Sequence, residues 1–219
     1  MKFIALTQRL LENTSYYELR EALSVEWGAF FKEHLQGFLP LPLSYAIPFS
    51  IYAKSLGNSL GGVLLSGGND LNSLNPNPLS LRRDEYEAQI ITHCMQHNVP
   101  LLGICRGAQM IAEYFSSQLE LLEGHIGNHQ VFNLRNGDTF EVNSFHNYGI
   151  RTLGECLEPL ILAQDKSIEA FKHKQKPIFA LMWHIERTLQ TQGKQAENNG
   201  LINNEVIREW KKLIESKEK

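Results

Sequence analysis

Cysteine is scarce in this chain: Cys94, Cys105 and Cys156 are the only three in 219 residues. They are odd in number and show no CxxC spacing. That argues against a disulfide framework or a cysteine zinc site, and it fits a reducing, cytoplasmic setting. An excess of charge of one sign is also missing. The 21 Lys and Arg stand against 24 Asp and Glu, for a net charge of −3 with no basic block, so no nucleic-acid partner is expected. No apolar run is long enough to span a bilayer, and MKFIALTQRL turns polar too soon for a signal peptide. Internal repeats, low-complexity tracts and linkers are absent as well. What is there is 42% hydrophobic and 21% charged over a length that suits one domain, residues 1–219, with a sizeable core.

Short apolar runs at Lys2–Leu6, Gly62–Ser66, Val99–Ile104 and Pro177–Met182 predict strands, and the unbroken GVLLS run marks a central parallel one. Phe38–Tyr45 alternates too, but Pro40 and Pro42 confine it to a sheet edge or an irregular segment. Helical periods cover Tyr16–Leu35, Arg82–His97, Gly107–Phe115 and Asn203–Lys217, with a short helix in Pro48–Leu60. Leu119–Leu122, Gln130–Leu134 and Thr139–Val142 read as short strands. Glu158–Ala163 and Ser167–His173 read as an antiparallel ribbon, and Thr188–Asn199 as a polar loop. The order predicts an α/β fold: an open, mostly parallel sheet flanked by helices, flavodoxin-like in three layers, with a small antiparallel ribbon. In such sheets the site lies at the carboxyl ends of the strands.

The sequence Gly103-Ile104-Cys105-Arg106-Gly107 sits between an apolar run and a helical pattern. Cysteine flanked by glycines at i−2 and i+2 is the nucleophile-elbow pattern, with Cys in place of Ser. The helix N-terminus beneath it favours an anionic sulfur and offers N–H groups to a developing oxyanion. A thiolate nucleophile needs a base and a group to orient that base. His184 and Glu186, two apart after the Pro177–Met182 run, supply both, and on extended backbone they project to one side. For the oxyanion, backbone N–H groups are expected from Arg106 and from Gly68 in the Gly67-Gly68 turn. His93, His97, His125, His129 and His173 read as surface or helix-face residues, with no zinc spacing among them. Trp27 and Trp210 read as core, and Arg82-Arg83 as a solvated helix start.

Taken together, LLSGGND, LLGICRGAQMI, VNSFHNYGI and WHIE resemble class I glutamine amidotransferase domains, and within them the γ-glutamyl hydrolase branch. The opening TQR and Arg83-Asp84 match that branch also, and the likeness spans nearly the whole chain. The resemblance implies a Cys105, His184, Glu186 triad and a small-molecule γ-glutamyl substrate. It implies that Gly67, Gln109, Ser144, Phe145, His146 and Asn147 hold the γ-glutamyl group, and that neither metal nor cofactor takes part. Ile185 stands where the family has Pro. Whole-chain likeness is greatest to the hydrolases that release cytidine diphosphoramidate in capsule synthesis, for which Arg82, Arg83, Lys54, Arg135 and His129 are candidate diphosphate donors. Other leaving groups fit the same motifs: a polyamine, γ-aminobutyrate, or ammonia passed to a synthetase. A catalytically silent binding module on the same fold is a further alternative.

Overall fold

A computed structural model describes residues 2–187 and 205–216. The expected loop Thr188–Asn199 lies outside the described residues. β1 (Lys2–Leu6), β4 (Phe38–Pro42), β5 (Leu60–Leu65), β6 (Leu101–Ile104) and β13 (Ile178–Leu181) form a parallel block in the order β4-β1-β5-β6-β13. Every residue of β5, β6 and β13 is buried, which explains their unbroken apolar runs. β4, with its two prolines, pairs only β1 and so stands at the edge, where missing N–H donors cost least.

The sheet then continues antiparallel through β12 (Ile168–His173), β11 (Leu157–Ala163), β8 (Ile126–Asn133) and β9 (Thr139–Phe145). β10 (Tyr148–Thr152) pairs β12 and also β7 (Gln118–Leu121). The ribbon expected over residues 158–173 is therefore part of the main sheet. The small separate ribbon lies elsewhere, between β2 (Arg9–Glu12) and β3 (Leu19–Ala22). That ribbon corrects the expected Tyr16–Leu35 helix. The Asn13 side chain accepts the Ser15 N–H at 3.2 Å, and the Asn13 N–H reaches Glu18 O at 2.9 Å, which closes a hairpin turn. Helix α1 (Glu26–His34) begins only after β3 and buries Trp27, Phe30 and Phe31.

Alternation along the parallel strands splits the core in two. Val63, Leu65 and Leu101 pack with α2 (Phe49–Leu56), α3 (Pro78–His97) and α4 (Arg106–Tyr114). Leu64, Leu102 and Phe179 face the other way, toward α1 and α5 (Glu205–Ser216), with Trp27 and Trp210 among them. This is the expected three-layer α/β arrangement. α3 begins earlier than its periodicity suggests because Asn77 caps it: its side chain accepts the Ser80 N–H at 2.9 Å, with Pro78 at the first helical position. Among the described residues no helix is long and apolar enough to cross a membrane.

Candidate active site

The turn between β6 and α4 places Cys105 at φ 51° and ψ −107°, a conformation that L-residues seldom adopt. Its N–H donates to Leu181 O at 2.7 Å, and its carbonyl accepts from Ala108 and Gln109 N–H at 2.9 and 3.1 Å. Both flanking glycines are sterically required. A Cβ at Gly107 would lie 2.1 Å from Leu65 O, and one at Gly103 would lie 2.6 Å from Gly107 O. Helix and sheet can approach this closely only without those carbons. The strained elbow holds the sulfur-bearing carbon above the strand ends.

Three strand ends meet at Gly67. A Cβ there would stand 2.7 Å from His184 Cε1, 3.4 Å from His184 Nε2 and 3.5 Å from the Cys105 Cβ. His184 Nδ1 lies 2.6 Å from Glu186 Oε1. Burial works against a charged imidazole here. The adjoining Cys105 sulfur and the Glu186 carboxylate outweigh it and push the His184 pKa up to about 10. The pair does not sit on extended backbone, as its spacing suggested. Residues 184–187 form a turn, in which the Arg187 N–H reaches His184 O at 3.4 Å. Ile185 is buried in the core with Trp183 and Val206, so apolar packing fixes the segment between imidazole and carboxylate.

Asn143 has no counterpart among the expected site residues, although it lies inside the VNSFHNYGI motif. Its side chain accepts the His184 N–H at 2.8 Å and donates to His184 O at 2.9 Å, so it clamps the backbone that carries the imidazole. Phe145 packs edge-on to the His184 ring at 5.6 Å, with the Arg187 guanidinium 4.7 Å above its face. Gln109 donates to Tyr148 O at 2.8 Å. Ser144 is turned to the carbonyl of His125, and His146 faces Glu169 at 3.6 Å. The Asn147 side chain is exposed, while its carbonyl accepts from Leu122 N–H at 2.7 Å. Of the residues expected to hold substrate, only Gly67 and Phe145 are brought against His184.

Arg83 corrects the expectation of a solvated helix start. Arg82 is exposed, but Arg83 is wholly buried and paired with Glu87 at 3.0 Å. Its guanidinium donates to Gly67 O at 3.1 Å and to Ser66 O at 2.6 Å. A trans peptide points its C=O and N–H in opposite directions. Fastening Gly67 O to Arg83 therefore aims the Gly68 N–H away from α3. Gly68 itself has φ +123°, and an added Cβ would meet Arg83 Nη1 at 2.9 Å. Arg106 begins α4, so its N–H has no intrahelical acceptor. Its buried side chain ion-pairs with Glu87 and Asp84. Glu87 thus joins Arg106 to Arg83, the residue that holds the Gly67 carbonyl.

A cavity of about 260 Å³ opens beside Gly67, Gly68 and His184 and is flanked by Arg9 and Arg187; Cys105 is not among its walls. The five side chains expected to meet a diphosphate do not line it. Lys54, Arg82 and Arg135 are exposed elsewhere, Arg83 is internal, and His129 lies beside Glu169.

Comparison with known proteins agrees with this architecture. The chain is 52% identical over 213 residues to the gamma-glutamyl-CDP-amidate hydrolase of Campylobacter jejuni, covering 97% of this chain and 98% of that one. A glutamine amidotransferase of Methylobacillus flagellatus superposes with a TM-score of 0.61 at 13% identity, over 98% of this chain and 92% of that one. One from Thermotoga maritima also has a TM-score of 0.61, at 17% identity, over 85% and 77%. The family described as glutamine amidotransferase class-I matches residues 48–204, and the chain belongs to that family.

Proposed function

We propose that the chain, acting as one domain over residues 1–219, hydrolyses the γ-glutamyl amide bond of γ-glutamyl-CDP-amidate and releases L-glutamate and cytidine diphosphoramidate. The 52% identity to a hydrolase of that name, over 97% of this chain, carries the choice of substrate. The meeting of Cys105, His184 and Glu186 around Gly67 supports the chemistry.

In this reading the Cys105 sulfur, as the anion of a thiolate–imidazolium pair, attacks the γ-carbonyl carbon. The carbonyl π-electrons move onto oxygen, and the Gly68 and Arg106 N–H groups stabilise the oxyanion. Collapse breaks the C–N bond, and protonated His184 gives its proton to the leaving nitrogen. A His184 pKa of about 10 keeps that proton available at neutral pH. Water then attacks the thioester with His184 as base, and glutamate leaves. Glu186 holds the imidazole through Nδ1, which leaves Nε2 for sulfur and substrate. Arg9 and Arg187, in the lining of the 260 Å³ cavity, supply the positive charge for the diphosphate. A cytoplasmic site keeps the free Cys105 reduced.

The test is glutamate release from γ-glutamyl-CDP-amidate, γ-glutamyl-putrescine, γ-glutamyl-γ-aminobutyrate and L-glutamine, with Cys105→Ala as control. Preferred turnover of the nucleotide conjugate, abolished in the variant, is the expected result. Preference for glutamine would replace this reading with that of an ammonia-donating subunit. Turnover that survives Cys105→Ala would overturn the nucleophile.

A further inference from the structure

The antiparallel half of the sheet buries a carboxylate that the reaction above does not use. Glu169 on β12 is 1% exposed, and neither of its oxygens has a hydrogen-bond partner among the described residues. Three imidazoles converge on Oε1: His125 Nδ1 at 3.3 Å, His129 Nε2 at 3.4 Å and His146 Nε2 at 3.6 Å. Those three nitrogens also lack hydrogen-bond partners. The donor atoms of His125, His146 and Glu169 all lie within 4.8 Å of one another.

An unpartnered buried carboxylate is costly. A proton on His125 would sit between Glu169 and Asp165 but would leave the His146 nitrogens without partners. A divalent cation bound by His125, His146 and the carboxylate gives these groups partners. A tetrahedral Zn²⁺ with bonds of about 2.0–2.1 Å separates its ligand atoms by about 3.3–3.4 Å. His125 Nδ1 and His146 Nε2 stand 3.3 and 3.6 Å from Glu169 Oε1. Two imidazole nitrogens and one carboxylate oxygen make a borderline donor set that suits Zn²⁺. A second carboxylate lies behind the first ring. Asp165 Oδ2 is 3.3 Å from His125 Nε2, and Ser167 Oγ donates to Asp165 Oδ1 at 2.6 Å. A carboxylate behind a metal-bound histidine fixes the ring so that its other nitrogen faces the ion.

We propose that His125, His146 and Glu169 bind a Zn²⁺ ion, with His129 beside them. Three protein ligands leave the fourth tetrahedral position to water. The ion would staple together the entry to β8, the end of β9 and β12. Phe145, one residue before His146, packs on the His184 ring. The ion would therefore brace one wall of the catalytic histidine without touching substrate. The wide spacing of the three residues along the chain is why no zinc motif announces them.

Metal content by mass spectrometry, and titration of chelator-stripped protein with Zn²⁺ and with Co²⁺, test the proposal. The work is done in the Cys105→Ala variant, so that the triad thiol cannot be a ligand. Expected are about one Zn²⁺ per chain, a rise in Tm on adding Zn²⁺, and an intense tetrahedral Co²⁺ absorption without a thiolate charge-transfer band. Glu169→Gln and His146→Ala should lose the bound metal and the Tm response. His129→Ala removes a neighbour and not a ligand, and should leave the metal bound. If a variant does not fold, the Co²⁺ spectrum of the parent decides alone. A chain that takes up neither metal at micromolar concentration would overturn the proposal. So would a pale octahedral Co²⁺ spectrum, or metal retained undiminished by a folded Glu169→Gln or His146→Ala.

Discussion

The two halves of the sheet carry charged groups in opposite ways. In the parallel half, Cys105, His184 and the Gly67-Gly68 turn each follow a short buried strand within three residues. Their position is set locally, by where an apolar run stops. In the antiparallel half, His125, His129, His146 and Glu169 come from separate strands and turns and meet through the pairing of β12, β11, β8 and β9. A site built at strand ends is written in consecutive residues. A site built across a sheet is written in register, which no short window of sequence displays.

The largest effects should come from the parallel half. Cys105→Ala should lower kcat by about 10⁴-fold or more, as loss of a nucleophile does, while the protein stays folded. Glu186→Gln should cost about 10²- to 10⁴-fold in kcat, since the imidazole loses the partner that fixes its tautomer. Initial-rate assays on the γ-glutamyl substrate read both. A Glu186→Gln enzyme within a few fold of wild type would remove the carboxylate from the catalytic unit and leave the strand-end comparison resting on Cys105 and His184 alone.

Gly68→Ala tests whether Arg83 sets the oxyanion donor. The new methyl group would need φ +123° and would stand 2.9 Å from Arg83 Nη1, so the Gly67–Gly68 peptide must turn. Loss of one oxyanion donor costs about 10²- to 10³-fold, and it should fall on kcat with KM nearly unchanged. A change confined to KM would mean that this peptide binds substrate and does not stabilise the transition state. Smaller again, Arg187→Ala and Arg9→Ala should each raise KM for the nucleotide conjugate by about tenfold, the weight of one exposed charge-assisted contact. The Arg9 change should not affect a γ-glutamyl substrate that lacks phosphate.

Much of the parallel half was legible. β5, β6 and β13 announce themselves as unbroken apolar runs, and the glycines of the elbow are dictated by contacts of 2.1 and 2.6 Å that a side chain would violate. Arg83 was not legible. A helix-start arginine is ordinarily solvated, and only the fold brings Glu87 and the Gly67 carbonyl to either end of its guanidinium. The β2–β3 ribbon was hidden because Leu19 and Leu23 also satisfy a helical period. The hairpin depends instead on one Asn13 side chain turning the backbone. Ser144 and His146 belong to a motif whose resemblance points to substrate, yet their side chains turn toward the second cluster. A motif records which residues travel together, not which way each one faces.

The smallest expected effect concerns pH, and it separates the two halves thermodynamically. His184 is raised from an ordinary value of 6.5 to about 10 in the folded protein. The folded state thus holds this proton more tightly than the unfolded chain does. The resulting stability is complete below pH 6.5 and is lost as pH rises toward 10. Other groups titrate in that window, so the informative quantity is a difference between proteins. Cys105 is the largest favourable contributor to the shift. Removing its sulfur should lower the His184 pKa, visible as an earlier imidazole titration by NMR. The decline in urea midpoint between pH 7 and pH 10 should then be shallower in Cys105→Ala than in wild type. Equal slopes, with an unmoved imidazole titration, would mean that sulfur and imidazole do not share a proton, and the thiolate–imidazolium pair would have to be abandoned.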